Sequence, residues 1–295
     1  MKVKLGNISL DSPILPASGV FGYGSELQNI VNYDNLGAIV TKTLTIKERQ
    51  GNPPPRIWEL EDGLLNSIGM QNIGIKKFCE GELPLLKQFK KPVIVSIGGE
   101  TPDEILLCLE YISQREVDAI EINMSCPNLG QDKLISENPE ATYNLIKQAR
   151  KITGHFLIAK LSPNVTDVCE IGKAAEEAGA EALCAFNTFK GLSFDWKNEK
   201  AILGGVSGNA IFPLSSRLVY QLYQKVSIPI IGLGGIHSGQ TGLQMILCGA
   251  TVIGIGTALA INPELSAEIL AEINRYMFEK NIQNWEELVG SANKK

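Results

Sequence analysis

Phe156-Leu157-Ile158-Ala159, then the stretch Asp167 to Ala178 closed by Gly179, then Ala182-Leu183-Cys184-Ala185, is the part of this chain that decides its fold. A short apolar run, an amphipathic stretch with a glycine stop, and a second short apolar run read as strand, helix and strand. The same alternation extends in both directions. Strand candidates lie near Ile14-Leu15, Ala38-Ile39-Val40, Pro92-Val93-Ile94-Val95 and Ala119-Ile120-Glu121-Ile122, and again near Pro229-Ile230-Ile231 and Val252-Ile253-Gly254. Amphipathic stretches from Pro102 to Gln114 and from Pro139 to Ile152 fall between them, the second opened by Ser136-Glu137-Asn138. Eight strands alternating with helices over about 250 residues predict an α/β chain folded as a (β/α)8 TIM barrel.

A doubly wound open sheet is the alternative, but it would carry a glycine-rich phosphate loop after its first strand. Ser18-Gly19-Val20-Phe21-Gly22 matches GxGxxG poorly. Met1 to Leu10, with Gly6-Asn7 central, predicts an N-terminal β-hairpin capping one end of the barrel. Two long excursions, Thr43 to Asn72 and Phe189 to Ala210, are expected as functional loops at the C-terminal rim. Without a linker, repeat or low-complexity tract, residues 1–295 read as a single domain.

Hydrophobic residues make up 44% of the chain and charged residues 20%, enough for a large core. The net charge of −5 argues against a broad nucleic-acid surface. No apolar run reaches the roughly 18 residues of a membrane span, and the N-terminus lacks a signal-peptide core. A cytoplasmic location is the expectation. The six cysteines, at 79, 108, 126, 169, 184 and 248, show neither CxxC grouping nor zinc or cluster spacing. No metal site is therefore expected, and with only His155 and His237 a histidine-centred mechanism has few candidates.

The strand ends carry the chemistry. Ala17-Ser18 follow the first strand, Lys42-Thr43 the second and Ser96 the third; Asn123, Ser125 and Cys126 follow the fourth. Lys160 follows the fifth, Asn187-Thr188 the sixth, Gly234-Gly235 the seventh and Gly256-Thr257 the eighth. In a barrel all of these face the rim that bears active sites. One lysine after a strand is usually solvated surface; two lysines converging with several amides are not explained that way. Gly232-Leu233-Gly234-Gly235 and Gly254-Ile255-Gly256-Thr257 suit a phosphate at the loops after strands seven and eight, with Gly204-Gly205-Val206-Ser207-Gly208 as a third glycine-rich turn. Lysines beside a phosphate site suit a reduced flavin, which develops negative charge. Asparagines, which both donate and accept, suit a planar substrate with amide edges. The residues alone thus point to a phosphate-containing cofactor, FMN, and a polar planar substrate.

From about Leu10 to Pro263 the motifs resemble the dihydroorotate dehydrogenases. The matching segments include Pro16-Ala17-Ser18-Gly19, Thr41-Lys42-Thr43, Gly51-Asn52-Pro53-Pro54-Pro55-Arg56 and Asn66-Ser67-Ile68-Gly69-Met70-Gln71-Asn72. They continue through Asn123-Met124-Ser125-Cys126-Pro127-Asn128, Lys160-Leu161-Ser162-Pro163-Asn164, Asn187-Thr188, Gly204 to Gly208 and Gly234-Gly235-Ile236. The resemblance implies one FMN per chain and oxidation of dihydroorotate to orotate in pyrimidine synthesis. It casts Cys126 as the base that takes the C5 proton while hydride passes from C6 to flavin, and a cysteine there resembles class 1. Lys42 would lie between flavin and substrate. Substrate contacts are implied for Lys42, Asn66, Ile68, Gly69, Met70, Asn123, Asn128, Asn187 and Thr188. Flavin contacts are implied for Ala17, Ser18, Lys42, Thr43, Ser96, Asn123, Lys160, Phe186, Ser207, Gly208, Gly234, Gly235, Gly256 and Thr257.

Gly51 to Ile57 and Lys160 to Asp167 resemble the catalytic subunit of subclass 1B. That subclass implies a homodimer core in a heterotetramer with two iron–sulfur subunits, which carry FAD and a 2Fe–2S cluster and pass electrons to NAD. Leu129 to Ile135 departs from the glycine-rich 1B continuation, and Ser96 stands where 1B commonly has Asn. The alternatives are the fumarate-using homodimer of subclass 1A and a dihydropyrimidine dehydrogenase-like subunit. In the latter, His typically stands where this chain has Asn128.

Overall fold

In the computed structural model, which describes residues 2–124 and 135–294, the alternation becomes a barrel. The hairpin strands are β1 (Val3–Leu5) and β2 (Ile8–Leu10), paired antiparallel with Lys4 opposite Ser9. The first two barrel strands are β3 (Ile14–Pro16) and β4 (Ile39–Val40). Two further strands, β5 (Ile57–Leu60) and β6 (Gly63–Asn66), leave the barrel before it resumes with β7 (Val93–Ile97) and β8 (Ala119–Asn123). Next come β9 (Phe156–Lys160) and β10 (Ala182–Ala185), a second excursion of β11 (Phe189–Asp195) and β12 (Lys200–Ser207), then β13 (Ile230–Leu233) and β14 (Val252–Ile255).

Among the described residues, eight strands form one parallel sheet in the order β3-β14-β13-β10-β9-β8-β7-β4. Its two ends meet. The Gly37 amide donates to the Ile14 carbonyl at 2.8 Å, and the Ser18 hydroxyl donates to the Thr41 carbonyl at 2.9 Å. All eight expected strands are present. Several run one or two residues further, so Ser96 lies inside β7, and Asn123 and Lys160 are the last residues of β8 and β9, rather than residues beyond the strands.

The helices are α1 (Ile75–Lys77), α2 (Leu83–Leu86), α3 (Pro102–Ile112), α4 (Pro139–Ile152) and α5 (Val168–Glu177). They continue with α6 (Phe212–Tyr223), α7 (Gly239–Cys248), α8 (Thr257–Ile261) and α9 (Leu265–Glu279). Their ends are set locally. The Asn138 side chain accepts from the Ala141 amide at the start of α4, and Asp167 from the Cys169 amide at the start of α5. At the end of α5, Gly179 takes φ +105°. The longer helices each bury one apolar stripe, such as Leu145, Ile146 and Ala149 of α4.

Both excursions differ from the loops expected of them. β11, β12, β6 and β5 form a four-stranded antiparallel sheet, with Leu192 opposite Leu203 and Gly205 opposite Asn66. The exposure along Phe189–Asp195 alternates strictly, as a two-faced strand requires. The supposed turn Gly204 to Ser207 also lies within β12, and only Gly208 follows the strand. Glycines are needed there because the chains crowd: a Cβ on Gly204 would collide with the Asn66 carbonyl.

Candidate active site

The parallel strands end around a cavity of about 420 Å³, a size suited to a cofactor or a metabolite. The two-residue period of a strand places its floor. Glu121 and Asn123 share the inner face of β8; Ser96 stands in register with Glu121, and Lys160 with Asn123. The rim sheet overhangs one side, with Ile57, Leu64 and Asn66 on the wall.

Most of the residues expected at the site meet here. Ala17, Ser18, Lys42, Thr43, Asn66, Ile68, Met70, Asn123, Lys160, Phe186, Asn187 and Thr188 all line the cavity. So do Ser207, Gly208, Gly234, Gly235, Gly256 and Thr257. Two expected residues stand apart from the lining. Gly69 packs against Asn52 with φ +73°, and Ser96, wholly buried, lies below the floor. Cys126 and Asn128 lie outside the described residues.

Lys42 reaches from the end of the second barrel strand and donates to Gln71 Oε1 at 2.6 Å. Burial first, and the nearby Arg56 guanidinium second, hold its ammonium below the usual lysine range. Arg56 is itself tied down, donating from Nε to the Asn52 carbonyl at 2.5 Å. Lys160 is 4% exposed and sits 3.4 Å from the carboxylate of Glu121. Asn66 is held on the rim by donating to the Gly205 carbonyl at 3.1 Å. The Asn187 side chain accepts from the Thr188 amide at 2.8 Å, and the Thr188 carbonyl accepts from Asn164 at 3.0 Å.

The glycine-rich part of the cavity has features that could receive an anion. Gly234 and Gly235 take φ +119° and +76°, and a Cβ on either would collide, with Ser215 or with the Phe212 backbone, so the turn there needs glycine. Gly208 opens the turn Asn209–Ile211 that leads into α6, and Gly256 opens α8. Neither helix start has a side-chain cap. The Ala210 and Ile211 amides go to the Asp62 and Gly208 carbonyls and the Leu259 amide to Gly256. The N–H groups available to an anion therefore lie at the very first residues, Asn209 in the turn and Thr257 and Ala258 in α8. The hydroxyls of Thr257 and Ser207 meet at 2.8 Å beside them. Among the described residues no group of three or more His, Cys, Asp or Glu is placed to hold a metal.

A family model described as dihydroorotate dehydrogenase matches residues 1–277. The chain belongs to the dihydroorotate dehydrogenase family. Similar members of the family are named dihydroorotate dehydrogenase B (NAD(+)), catalytic subunit. One from Carboxydothermus hydrogenoformans is 42% identical, over 100% of this chain and 98% of its own length. Another, from Thermoanaerobacter sp. strain X514, is 40% identical over 99% of this chain and 98% of its own. The protein from Geobacter metallireducens is 41% identical over 99% and 97%. These names place the chain with subclass 1B.

Several residues of this cavity region were not among those expected from the sequence. Gln71 holds Lys42, Asn164 braces Thr188, and Glu121 lies beside Lys160. For Glu121 a signal existed: one acid inside the run Ala119-Ile120-Glu121-Ile122 contradicts an all-apolar strand. Gln71 and Asn164 lie within the quoted motifs, but nothing local marks their tasks, because their partners are 29 and 24 positions away.

Proposed function

We propose that the chain oxidises (S)-dihydroorotate to orotate with FMN, the redox step of de novo pyrimidine synthesis, as the catalytic subunit of a subclass 1B enzyme. The observation that carries this reading is the lining of the cavity. Uncapped helix starts and the Gly234-Gly235 turn lie on one part of the lining; buried Lys160 and Asn123 lie on another, with half-buried Lys42, Asn66 and Asn187. That arrangement fits a phosphate at the glycine-rich part and a planar ring between Lys160 and Lys42. FMN, when bound, accepts the two electrons withdrawn from the substrate.

The chain's own residues do the rest. Ser207, Gly208, Gly234, Gly235, Gly256 and Thr257 hold the phosphate side. Ala17, Ser18, Thr43, Phe186 and Asn123 line the ring, with Lys160 at its electron-rich edge. Asn66, Asn123, Asn128, Asn187 and Thr188 orient the substrate, whose amide edges both donate and accept. Ile68 and Met70 close its apolar side, and Lys42 offsets its negative charge. Cys126 removes the C5 proton, acting as a general base.

Electrons then leave through an iron–sulfur partner that carries FAD and a 2Fe–2S cluster and reduces NAD. The assembly is a heterotetramer of two partner chains on a homodimer of this one. Support for this comes from the relatives, whose names specify a catalytic subunit and NAD(+). The purified chain should be yellow and should reduce a dye with dihydroorotate but not with dihydrouracil. A colourless protein, or turnover of dihydrouracil alone, contradicts the reading. Co-purification with a brown subunit that confers NAD reduction supports 1B; fumarate-dependent turnover by this chain alone would assign it to 1A.

A further inference from the structure

One layer below the cavity lies a carboxylate for which the roles above have no use. Glu121 is 3% exposed, inside the barrel, on the same face of β8 as Asn123. Its Oε1 accepts from the Ser96 hydroxyl at 2.8 Å and stands 3.4 Å from Lys160 Nζ. Burial, and then the Glu121 carboxylate, push the ionisation of the neighbouring Cys184 thiol well above its usual range, so it stays neutral. Charge at this level is therefore carried by Glu121 and Lys160.

The hydrogen bonds above Glu121 have a direction. Ser96 has one proton, and the carboxylate takes it. Its oxygen, 3.0 Å from Thr43 Oγ1, is then left to accept from Thr43. Thr43 donates there in preference to the Ser18 oxygen, which stands farther off at 3.2 Å and gives its own proton to the Thr41 carbonyl. Thr43 has then used its own proton and accepts from Asn123 Nδ2 at 3.0 Å. The order is Asn123 to Thr43 to Ser96 to Glu121. With the amide of Asn123 turned over, its carbonyl would face an oxygen whose proton is already engaged, at a distance that needs a donor.

We infer that Glu121 is a positioning residue serving both halves of the site. Through one carboxylate oxygen it holds Lys160 beside the flavin, and through Ser96 and Thr43 it fixes which way the Asn123 amide faces the substrate. This rests on the cavity being the FMN and dihydroorotate site. Two variants separate the halves. Glu121→Gln keeps an oxygen to accept from Ser96 but removes the charge, leaving the interior one unit more positive where screening is weak. Ser96→Ala cuts the line to Thr43 and leaves the Glu121–Lys160 pair in place.

The test measures the flavin midpoint potential and orotate affinity, by spectral titration, on the wild-type, E121Q and S96A holoproteins. A more positive site favours the electron-rich reduced flavin. E121Q should favour it at least ten-fold, a rise of about 30 mV for a two-electron couple. S96A should leave the potential where it is, weaken orotate several-fold and raise KM more than it lowers kcat. A wild-type potential in E121Q overturns the Lys160 half, and wild-type orotate affinity in S96A overturns the Asn123 half. If E121Q does not accumulate folded, Glu121→Asp draws the charge back from Lys160 and should move the potential the same way by less; no movement overturns the inference. A wild-type chain that binds no added FMN defeats the cofactor reading itself, whereas flavin-loaded variants with unaltered properties defeat this inference alone.

Discussion

Lys42, the cation we propose between flavin and substrate, works against the stability of its own fold. Burial makes its charge costly, and its ammonium titrates below the ordinary lysine value of 10.5. Between the depressed and the ordinary value the unfolded chain binds more protons than the folded one, so stability rises with pH through that window. Lys42→Met should therefore raise the urea midpoint of the flavin-free protein at neutral pH and abolish that alkaline rise. Turnover should fall by about two orders of magnitude with the cation gone. An unchanged midpoint would show that the buried charge costs nothing. Cys126 allows a second prediction from its chemistry alone. Cys126→Ala should keep bound FMN and lose roughly two or more orders of magnitude in dihydroorotate oxidation. Cys126→Ser should retain partial activity displaced to higher pH, since a hydroxyl ionises far less readily than a thiol. Pre-steady-state flavin reduction followed across pH distinguishes these outcomes.

At the scale of elements, the rim sheet and the barrel divide the work. The barrel strands supply Lys160, Asn123 and the buried network beneath them, while β6 and β12 bring Asn66 over the cavity. Because the rim sheet forms a separate set of strands, damage to it should be felt in binding before it is felt in folding. Gly204→Ala drives a methyl group into the Asn66 carbonyl and must spread β12 from β6. We expect orotate to bind about ten-fold more weakly, close to 1.4 kcal/mol, with the thermal midpoint of the barrel little altered. Isothermal titration and a melting curve on the same sample decide it; a large fall in the midpoint with unchanged affinity would place the sheet in the folding core instead.

On the scale of the whole molecule, the two ends of the barrel have opposite tasks. The β1–β2 hairpin closes the end away from the cavity, and Gly6 at its turn takes φ +58° with its Cα against the Phe156 ring. An alanine there would have to adopt a left-handed conformation and displace that ring. Gly6→Ala should cost at least the roughly 1–2 kcal/mol of the backbone term alone, read from urea unfolding, while turnover per folded molecule stays as in the parent. Reduced turnover in the folded fraction would mean that the two ends are coupled. Among the described residues no helix is long and apolar enough to cross a membrane.

What the chain spells out locally it spells out well. The apolar runs mark all eight barrel strands, Asn138 and Asp167 start their helices, and Gly6-Asn7 turns its hairpin. Each of these signals is read by neighbours within a few residues. The motif residues at the strand ends also announced the cavity, because a parallel barrel must bring those ends to one rim. The rim sheet was less legible. Its strands pair across 139 residues between Asn66 and Gly205, so neither excursion alone shows its partner. Glu121 was legible only in part, as a flaw in an apolar strand until the barrel closes. Only then do register and the period of two place it under Ser96, Thr43 and Asn123 and beside Lys160. The sequence by itself determined which residues could carry charge and protons to the rim. The tertiary structure decided which of them share a carboxylate, because that depends on distances between strands that no local pattern encodes.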